Sequence, residues 1–396
     1  MTYAVIVPSL LFAVYFTTVV AAERPDAITL WGVVAALSLL VCGLLAPLAG
    51  AYADAKHARL SLLTGFTLLC CMATALLSWP GRGDIALAAV LFIASRVGYT
   101  VAMSLYDAYV ERLAPLAGGA EWLSSLGWAL GFLGGIAAIL LVMPLAHGEP
   151  APGDTPLYGR AFPLIALLFW ALAVPALFGL RRVPPPAAPP AAALHPWRRV
   201  VTTLRRWRAH RTVMRFLLGS YLINDAVVTV GVFTAIYLRE VFGVTVSDLL
   251  WLALLYHLIA LPATALFGLL AHRTSAHLAL GATLALWAAA IVVMAFGHGH
   301  AAATLVVTLL ATVVGSTQAL LRGMYARLVP PAQAAEFFGF NVLTGRLSAA
   351  LGPLLFSAVN TAAGTPKAGL LSLIAFLTAG ALILSGVRLP DSVRSG

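Results

Sequence analysis

Apolar stretches of about 20 residues recur along almost the whole chain, and no other feature constrains its fold as strongly. About 20 apolar residues in an α-helix cross the hydrocarbon core of a bilayer. A spanning segment must satisfy its own backbone hydrogen bonds there, so each stretch predicts a transmembrane helix. Twelve stretches are present, at approximately residues 3–22, 28–52, 60–79, 85–107, 122–147, 161–182, 213–238, 248–271, 276–297, 301–325, 338–360 and 367–387.

The composition is too apolar for a water-soluble protein of this size. Of the 396 residues, 61% are hydrophobic and 10% are charged, whereas soluble domains contain about 25% charged residues. The formal net charge is +10, but the basic residues stand mainly between the apolar stretches, where they set orientation and face anionic lipid. We therefore expect the chain to contact the lipid bilayer and not to bind nucleic acid.

The connections between the stretches alternate between weakly and strongly basic. Strongly basic connections contain Lys56, the arginine cluster of residues 195–215 and Arg273. The positive-inside rule places them in the cytoplasm, together with both termini. Alanine is more frequent than isoleucine and arginine more frequent than lysine, which is typical of a GC-rich bacterial genome. We therefore expect a multi-pass protein of the inner, or plasma, membrane.

The longest connection divides the chain. Residues 183–195 are mostly proline and alanine, which predicts a semi-rigid linker. Residues 197–208 place apolar side chains at helical spacing with arginines on the other face, which predicts an amphipathic helix on the inner leaflet. The sequence thus predicts a six-helix half at residues 1–182, a cytoplasmic connection at 183–212 and a second six-helix half at 213–396.

Six spans, a long basic connection and six further spans resemble the layout of the major facilitator superfamily. The resemblance implies an all-α integral membrane fold with twelve transmembrane helices in two pseudo-symmetric six-helix halves. It also implies a substrate site near the midplane and a secondary transporter that works by alternating access.

Corresponding loops of the two predicted halves carry a similar motif. Gly50, Asp54 and Arg59 follow the second span and match part of the superfamily's loop signature, which begins G-x-x-x-D. Gly268 and His272 follow the eighth span at the same spacing, with histidine in place of aspartate. The glycine allows two helices to approach closely, and the aspartate is suited to cap a helix end and to pair with an arginine.

The most specific resemblance lies in spans 10 and 11. The chain reads Q-A-L-L-R from Gln318, E-F-F-G from Glu336 and G-R-L-S from Gly345. These motifs are similar to those of the vacuole effluxer family, an autophagy-related branch of the facilitators with many bacterial members. The eukaryotic members are linked to amino-acid efflux from vacuoles. The family's D-W-A-N-S segment is missing before Tyr3, which leaves open a start upstream of Met1 or a genuine absence.

Several polar side chains lie inside the predicted spans, where a charge costs at least about 2.5–3.5 kcal/mol. Arg96 lies about 18 Å into span 4, and Asn224 and Asp225 lie about 15 Å into span 7. The resemblance implies that spans 4, 7 and 10 line the cavity. We therefore predict a substrate or proton site formed by Arg96, Asn224, Asp225 and Gln318, with Asp225 as the proton-coupling group. The alternative is that Asp225 pairs with Arg96 or Arg346 only to hold the halves together.

A second set of residues is predicted to act in gating or in the structural motifs. Its acidic members outside the loop motif stand near the cytoplasmic ends of spans, where gate or loop salt bridges are expected. The set comprises Gly50, Asp54, Arg59, Asp107, Glu111, Arg322, Glu336 and Arg346.

The sequence lacks the patterns of an enzyme or a metal protein. There is no G-x-S-x-G motif and no glycine-rich phosphate loop, so an integral-membrane transferase is a remote alternative. His298 and His300 have no carboxylate nearby in the sequence, and we expect no catalytic residue, no cofactor and no metal. We predict a monomer that exports a small solute, such as an amino acid, with proton or other ion coupling. A lipid-like or drug-like substrate is the alternative.

Overall fold

The computed structural model describes residues 7, 11–142, 145, 155–183, 207–240, 242–244, 246–363 and 366–390, and within these ranges the chain is helical without strands. The predicted amphipathic helix at residues 197–208 lies outside the described residues except at its last two positions. The principal helices are α1 Phe12–Tyr15 with a following π-helical segment Phe16–Val20, α2 Ala27–Lys56, α3 Arg59–Leu76, α4 Ile85–Asp107, α5 Ala120–Val142, α6 Thr155–Leu180, α7 Arg211–Glu240, α8 Val246–Arg273, α9 Ala276–Phe296, α10 Gly299–Leu328, α11 Ala334–Ala363 and α12 Pro366–Ser385.

Ten of these helices, α2 to α10 and α12, are long and apolar enough to cross a membrane within the part of the chain that the structure describes. Large apolar side chains on their surfaces are exposed, such as Met72 at 62% and Val90 at 63%. Hydrocarbon is the solvent that such side chains favour. The all-α membrane fold is thus observed. The count of twelve spans stays a prediction, because neither residues 3–22, which are described only in part, nor α11 is among the ten.

The chain packs into two compact units that do not follow sequence order. The first unit comprises Met1–Ala108, Leu133–Val201 and Ala332–Leu343. The second comprises Tyr109–Phe132, Thr202–Pro331 and Thr344–Gly396. The first unit therefore includes the start of α11, and the second includes the start of α5. The division at residues 183–212 remains a prediction from sequence, and most of that segment lies outside the described residues.

Aromatic side chains form the core of the first unit. The rings of Phe12 and Phe92 stack with centroids 4.4 Å apart, and Trp31 meets Phe92 edge-on at 5.1 Å. Helices α3 and α4 pack almost backbone to backbone, because a Cβ built on Gly98 would lie 2.6 Å from the backbone nitrogen of Cys70. Such close packing through a small residue is typical of membrane helices.

In the second unit, α10 packs against α8, α9 and α7. Trp287 of α9 is fully buried, and its indole nitrogen donates a hydrogen bond of 3.1 Å to Oγ1 of Thr317 on α10. A buried indole needs such an acceptor, and the bond fixes the rotation of α10 next to Gln318. Gly219 and Gly380 bring α7 and α12 into close contact in the same way as Gly98.

Candidate functional site

The loop motif after α2 holds the start of α11 within the first unit. A Cβ built on Gly50 would lie 2.1 Å from the carbonyl oxygen of Ala335, and one on Gly339 would lie 2.3 Å from Cα of Pro47. Both distances are shorter than any normal contact, so glycine is required at both positions. The two helices therefore meet backbone to backbone.

Asp54 makes two contacts at this junction. Its Oδ1 lies 2.7 Å from Nη2 of Arg59 in a salt bridge whose two side chains are buried. Its Oδ2 accepts a hydrogen bond of 3.0 Å from the backbone N–H of Glu336, in the first turn of α11. Asp54 thus neutralises a buried guanidinium and caps a helix N-terminus, where a negative charge is favourable.

The chain geometry after α2 explains how Asp54 and Arg59 meet. His57 ends α2 with a left-handed backbone conformation, at φ +52°. The chain turns back after this residue, and the backbone N–H of Ala58 donates a hydrogen bond of 3.0 Å to the carbonyl oxygen of Ala53. Arg59 also donates to the carbonyl oxygen of Ala108 at 3.3 Å. The short turn therefore lets one arginine contact both Asp54 and the end of α4.

The corresponding loop of the second half lies against the start of α5 within the second unit. A Cβ built on Gly268 would lie 2.3 Å from Cβ of Ser125, which is the same close approach as at Gly50. His272 replaces the aspartate and stands near Gly118. An imidazole carries no negative charge with which to cap a helix, so the start of α5 is held by other groups.

Two arginines of α10 hold the start of α5. Arg322 is buried, and its Nε and Nη2 atoms donate to Oγ and to the carbonyl oxygen of Ser124, each at 2.8 Å. Arg327 forms a salt bridge of 2.9 Å with Glu121 and also donates to the carbonyl oxygen of Pro390. The guanidinium of Arg322 is therefore committed to the protein and unsuited to bind substrate.

Glu121 is a residue that the sequence analysis did not single out. The signal for it is an internal repeat of the form R-L-x-P-x-A-x-x-A-E followed by an aromatic residue, at residues 112–122 and 327–337. Glu121 and Glu336 are the acidic positions of the two copies. In the observed salt bridge, the arginine of the second copy meets the glutamate of the first.

The predicted substrate residues Asn224 and Gln318 lie together in the second unit. Nε2 of Gln318 on α10 donates a hydrogen bond of 2.7 Å to Oδ1 of Asn224 on α7, and the pair is part-buried. Asp225 is only 1% exposed, and its backbone carbonyl accepts a hydrogen bond from the Thr229 hydroxyl. Consecutive helix residues point about 100° apart, so Asn224 and Asp225 face different neighbours.

Three of the four remaining predicted residues are half-buried. Arg96 on α4 is half-buried and belongs to the first unit. Asp107 and Glu111 are half-buried near the end of α4. The side chain of Arg346 lies outside the described part of the structure. Within that part, no group of three or more histidine, cysteine, aspartate or glutamate residues could hold a metal ion.

Sequence comparisons give two matches. A family model with the description "Vacuole effluxer Atg22 like" matches residues 118–395. The chain is also 24% identical over 392 residues to the uncharacterised MFS-type transporter YxiO of Bacillus subtilis (strain 168), an alignment that covers 97% of this chain and 91% of YxiO.

Similar solved structures are facilitator transporters. The proton:xylose symporter XylE bound to 6-bromo-6-deoxy-D-glucose superposes with a TM-score of 0.69 at 16% identity, covering 96% of this chain and 91% of XylE. An outward-facing bacterial homologue of the iron transporter ferroportin gives 0.67 at 17% identity, with 95% and 93% covered. The human organic anion transporter MFSD10 gives 0.67 at 18% identity, with 94% and 88% covered.

At these identities, the solved structures establish the fold alone. The family model, in contrast, covers most of the chain. The protein is therefore a transporter rather than an enzyme: it belongs to the vacuole effluxer Atg22-like family and has the fold of the major facilitator superfamily.

Proposed function

We propose that the protein is a secondary active transporter that exports a small solute, such as an amino acid or related metabolite, by proton-coupled alternating access. The observation that carries this proposal is the hydrogen-bonded pair of Asn224 and Gln318, which joins α7 to α10, with the buried carboxylate of Asp225 at the next position. Polar and ionisable groups at such depth are functional by default, because a membrane interior disfavours them.

The amide pair leaves hydrogen-bonding capacity for a ligand. Oδ1 of Asn224 accepts from Nε2 of Gln318, so the Asn224 amide nitrogen and the Gln318 carbonyl oxygen are not used in this bond. An amide side chain offers two donors and an acceptor. The pair is part-buried, so a small polar solute could contact both side chains with complementary donors and acceptors.

Asp225 supplies the group for proton coupling. Its carboxylate can bind and release a proton, and its 1% exposure means that a change of charge has a large electrostatic effect on its surroundings. The neighbouring Asn224 contacts Gln318 on α10. Protonation of Asp225 would therefore change the charge one residue away from the proposed solute contacts.

The contacts at the starts of α5 and α11 are the ones that we expect to form and break during alternating access. Each start packs in a unit with helices from the other half of the sequence, through Gly268 and Arg327 in one unit and through Gly50 and Asp54 in the other. Individual hydrogen bonds to charged groups contribute about 1.5–3 kcal/mol. Such contacts are strong enough to favour one state and weak enough to be broken in each transport cycle.

Orientation and location follow the same reasoning. The basic connections favour cytoplasmic placement of both termini in an inner membrane, and the halves of a facilitator fold complete a transport pathway within one chain. We therefore propose that the protein works as a monomer.

Transport by the purified protein in proteoliposomes tests this proposal. A pooled panel of amino acids and small peptides would be followed for uptake and efflux, with and without an imposed pH gradient, and protein-free liposomes would serve as the control. We expect gradient-dependent movement of at least one compound. Absence of movement across the panel would contradict the proposed substrate class and favour a lipid-like or drug-like substrate.

A further inference from the structure

Arg96 differs from three other arginines of the described helices, whose guanidinium groups are bonded to the protein. Arg59 is paired with Asp54, Arg322 donates twice to Ser124, and Arg327 is paired with Glu121. In contrast, Nε of Arg96 is buried and has no hydrogen-bond acceptor among the described residues. Among those residues Arg96 also has no salt bridge with a carboxylate.

The position of Arg96 on α4 places it deep in the membrane. It is the twelfth residue of the helix, which begins at Ile85, and twelve residues correspond to a depth of about 18 Å. A positively charged guanidinium is costly at this depth, so an arginine here is a candidate for a functional role.

Arg96 is also directed away from lipid. Leu87 and Val90 are exposed at 46% and 63%, and they mark the lipid-facing side of α4. Leu87 precedes Arg96 by nine residues, or about two and a half turns, so the two side chains leave opposite sides of the helix. Since Arg96 is half-buried rather than fully buried, part of its side chain remains accessible.

The protein groups that are known to lie near Arg96 do not balance its charge. Cys70 on α3 is close enough to interact electrostatically with it, but a cysteine side chain is not a carboxylate. An interior cation that has no carboxylate partner among the described residues favours a negative charge from elsewhere. A guanidinium presents paired N–H donors that match the two oxygens of a carboxylate.

We propose that Arg96 binds the carboxylate of the transported solute, so that the substrate is a small carboxylic acid or a zwitterion that carries this group. The proposal rests on the proposed transport function and adds a required chemical group to the substrate. It assigns to Arg96, on α4 of the first unit, the recognition of that carboxylate.

Matched pairs of acids and amides test the proposal. The probes are lactate and lactamide, succinate and succinamide, and leucine and leucinamide. The purified full-length protein would be tested for stabilisation by each compound against thermal unfolding, and for counterflow in proteoliposomes. We expect at least one acid to stabilise the protein and to be transported, and its amide to bind at least about tenfold more weakly, because a charge-assisted pair is lost.

The variants are Arg96→Gln, which removes the charge, and Arg96→Lys, which keeps the charge but loses the paired donors. Arg82→Gln is the matched control, because Arg82 is exposed in the loop before α4. We expect Arg96→Gln to abolish stabilisation by the acid, Arg96→Lys to weaken it by about tenfold or more, and Arg82→Gln to leave it unchanged. Arg96→Lys keeps the test valid if Arg96→Gln fails to fold.

The outcomes separate this proposal from the proposed function. Wild-type protein that is stabilised by no acid of the panel, or variants that respond like the wild type, would overturn the role of Arg96. Gradient-driven movement of the amides as fast as the acids would also overturn it while leaving transport standing. Stabilisation by an acid that depends on Arg96, without flux of any compound, would support the carboxylate site and contradict transport.

Discussion

Nη1 of Arg327 lies 2.9 Å from Oε1 of Glu121, although the two residues are 206 positions apart. Gly323 makes this contact possible, because a Cβ at that position would lie 2.6 Å from Cα of Glu121. The end of α10 and the start of α5 are thus held together by close packing and by charge. The same start of α5 is bound by Arg322 through Ser124.

The Arg327–Glu121 pair is expected to couple the two residues energetically. Its side chains are 20% and 8% exposed, so we predict a coupling energy of about 1 kcal/mol, at the upper end for exposed pairs. Glu121→Arg alone should destabilise the protein, and the exchanged variant Glu121→Arg with Arg327→Glu should recover part of the loss. A double-mutant cycle on thermal unfolding measures this, and strictly additive effects would contradict it.

The two oxygens of Asp54 have separable roles. Asp54→Ala removes the counter-ion of buried Arg59 and the cap of α11, and we expect a loss of about 3 kcal/mol. Asp54→Asn retains an acceptor for the Glu336 N–H but loses the charge, so it should lie between the wild type and Asp54→Ala. Thermal unfolding of the three purified proteins gives their order of stability. If Asp54→Ala were as stable as the wild type, Asp54 would not act as counter-ion and helix cap.

Gly50 is required for space rather than for backbone conformation. Gly50→Ala would place a methyl group 2.1 Å from the carbonyl oxygen of Ala335, so we expect it to destabilise the protein and to slow transport. Gly65→Ala is the matched control, because Gly65 is helical and has nothing within 4 Å of a built Cβ. It should be neutral or stabilising by up to about 1 kcal/mol. Equal effects of the two substitutions would refute the packing argument.

The Asn224–Gln318 pair should affect substrate affinity more than protein stability. Loss of either side chain removes a ligand contact and releases its partner, so Gln318→Ala and Asn224→Ala should each raise KM by about tenfold. Because the two amides act together, the double variant should be little worse than either single variant. Transport kinetics decide this, and unchanged KM values in both single variants would exclude the pair from the substrate site.

Much of the fold could be predicted from local patterns. The stretch at residues 85–107 coincides with α4, because apolar length and flanking polar residues determine a membrane helix. The family motifs between Gln318 and Ser348 led to the correct superfamily and family. The apolar stretch is a local signal, and the family assignment depends on a specific motif, so a single sequence is enough to detect both.

The partners of individual residues could not be predicted in the same way. Arg322 was expected to have a structural role, but its acceptor Ser124 is 198 positions away. Glu121 stands in the first turn of α5, where an acidic residue is common because it interacts favourably with the helix dipole. Its pairing with Arg327 depends on the close approach at Gly323, which a single sequence does not display. The repeat that contains both glutamates is detectable only when the two halves are aligned with each other.

The most direct test of proton-coupled transport compares Asp225→Asn with the wild type in two assays on one transported compound. We predict that Asp225→Asn retains exchange in counterflow, because Asn224 and Gln318 are unchanged, but loses the accumulation that a pH gradient drives. Asp54→Asn would serve as a control for general loss of a carboxylate, and it should affect both assays alike. Gradient-driven transport by Asp225→Asn at the wild-type rate would contradict proton coupling through Asp225.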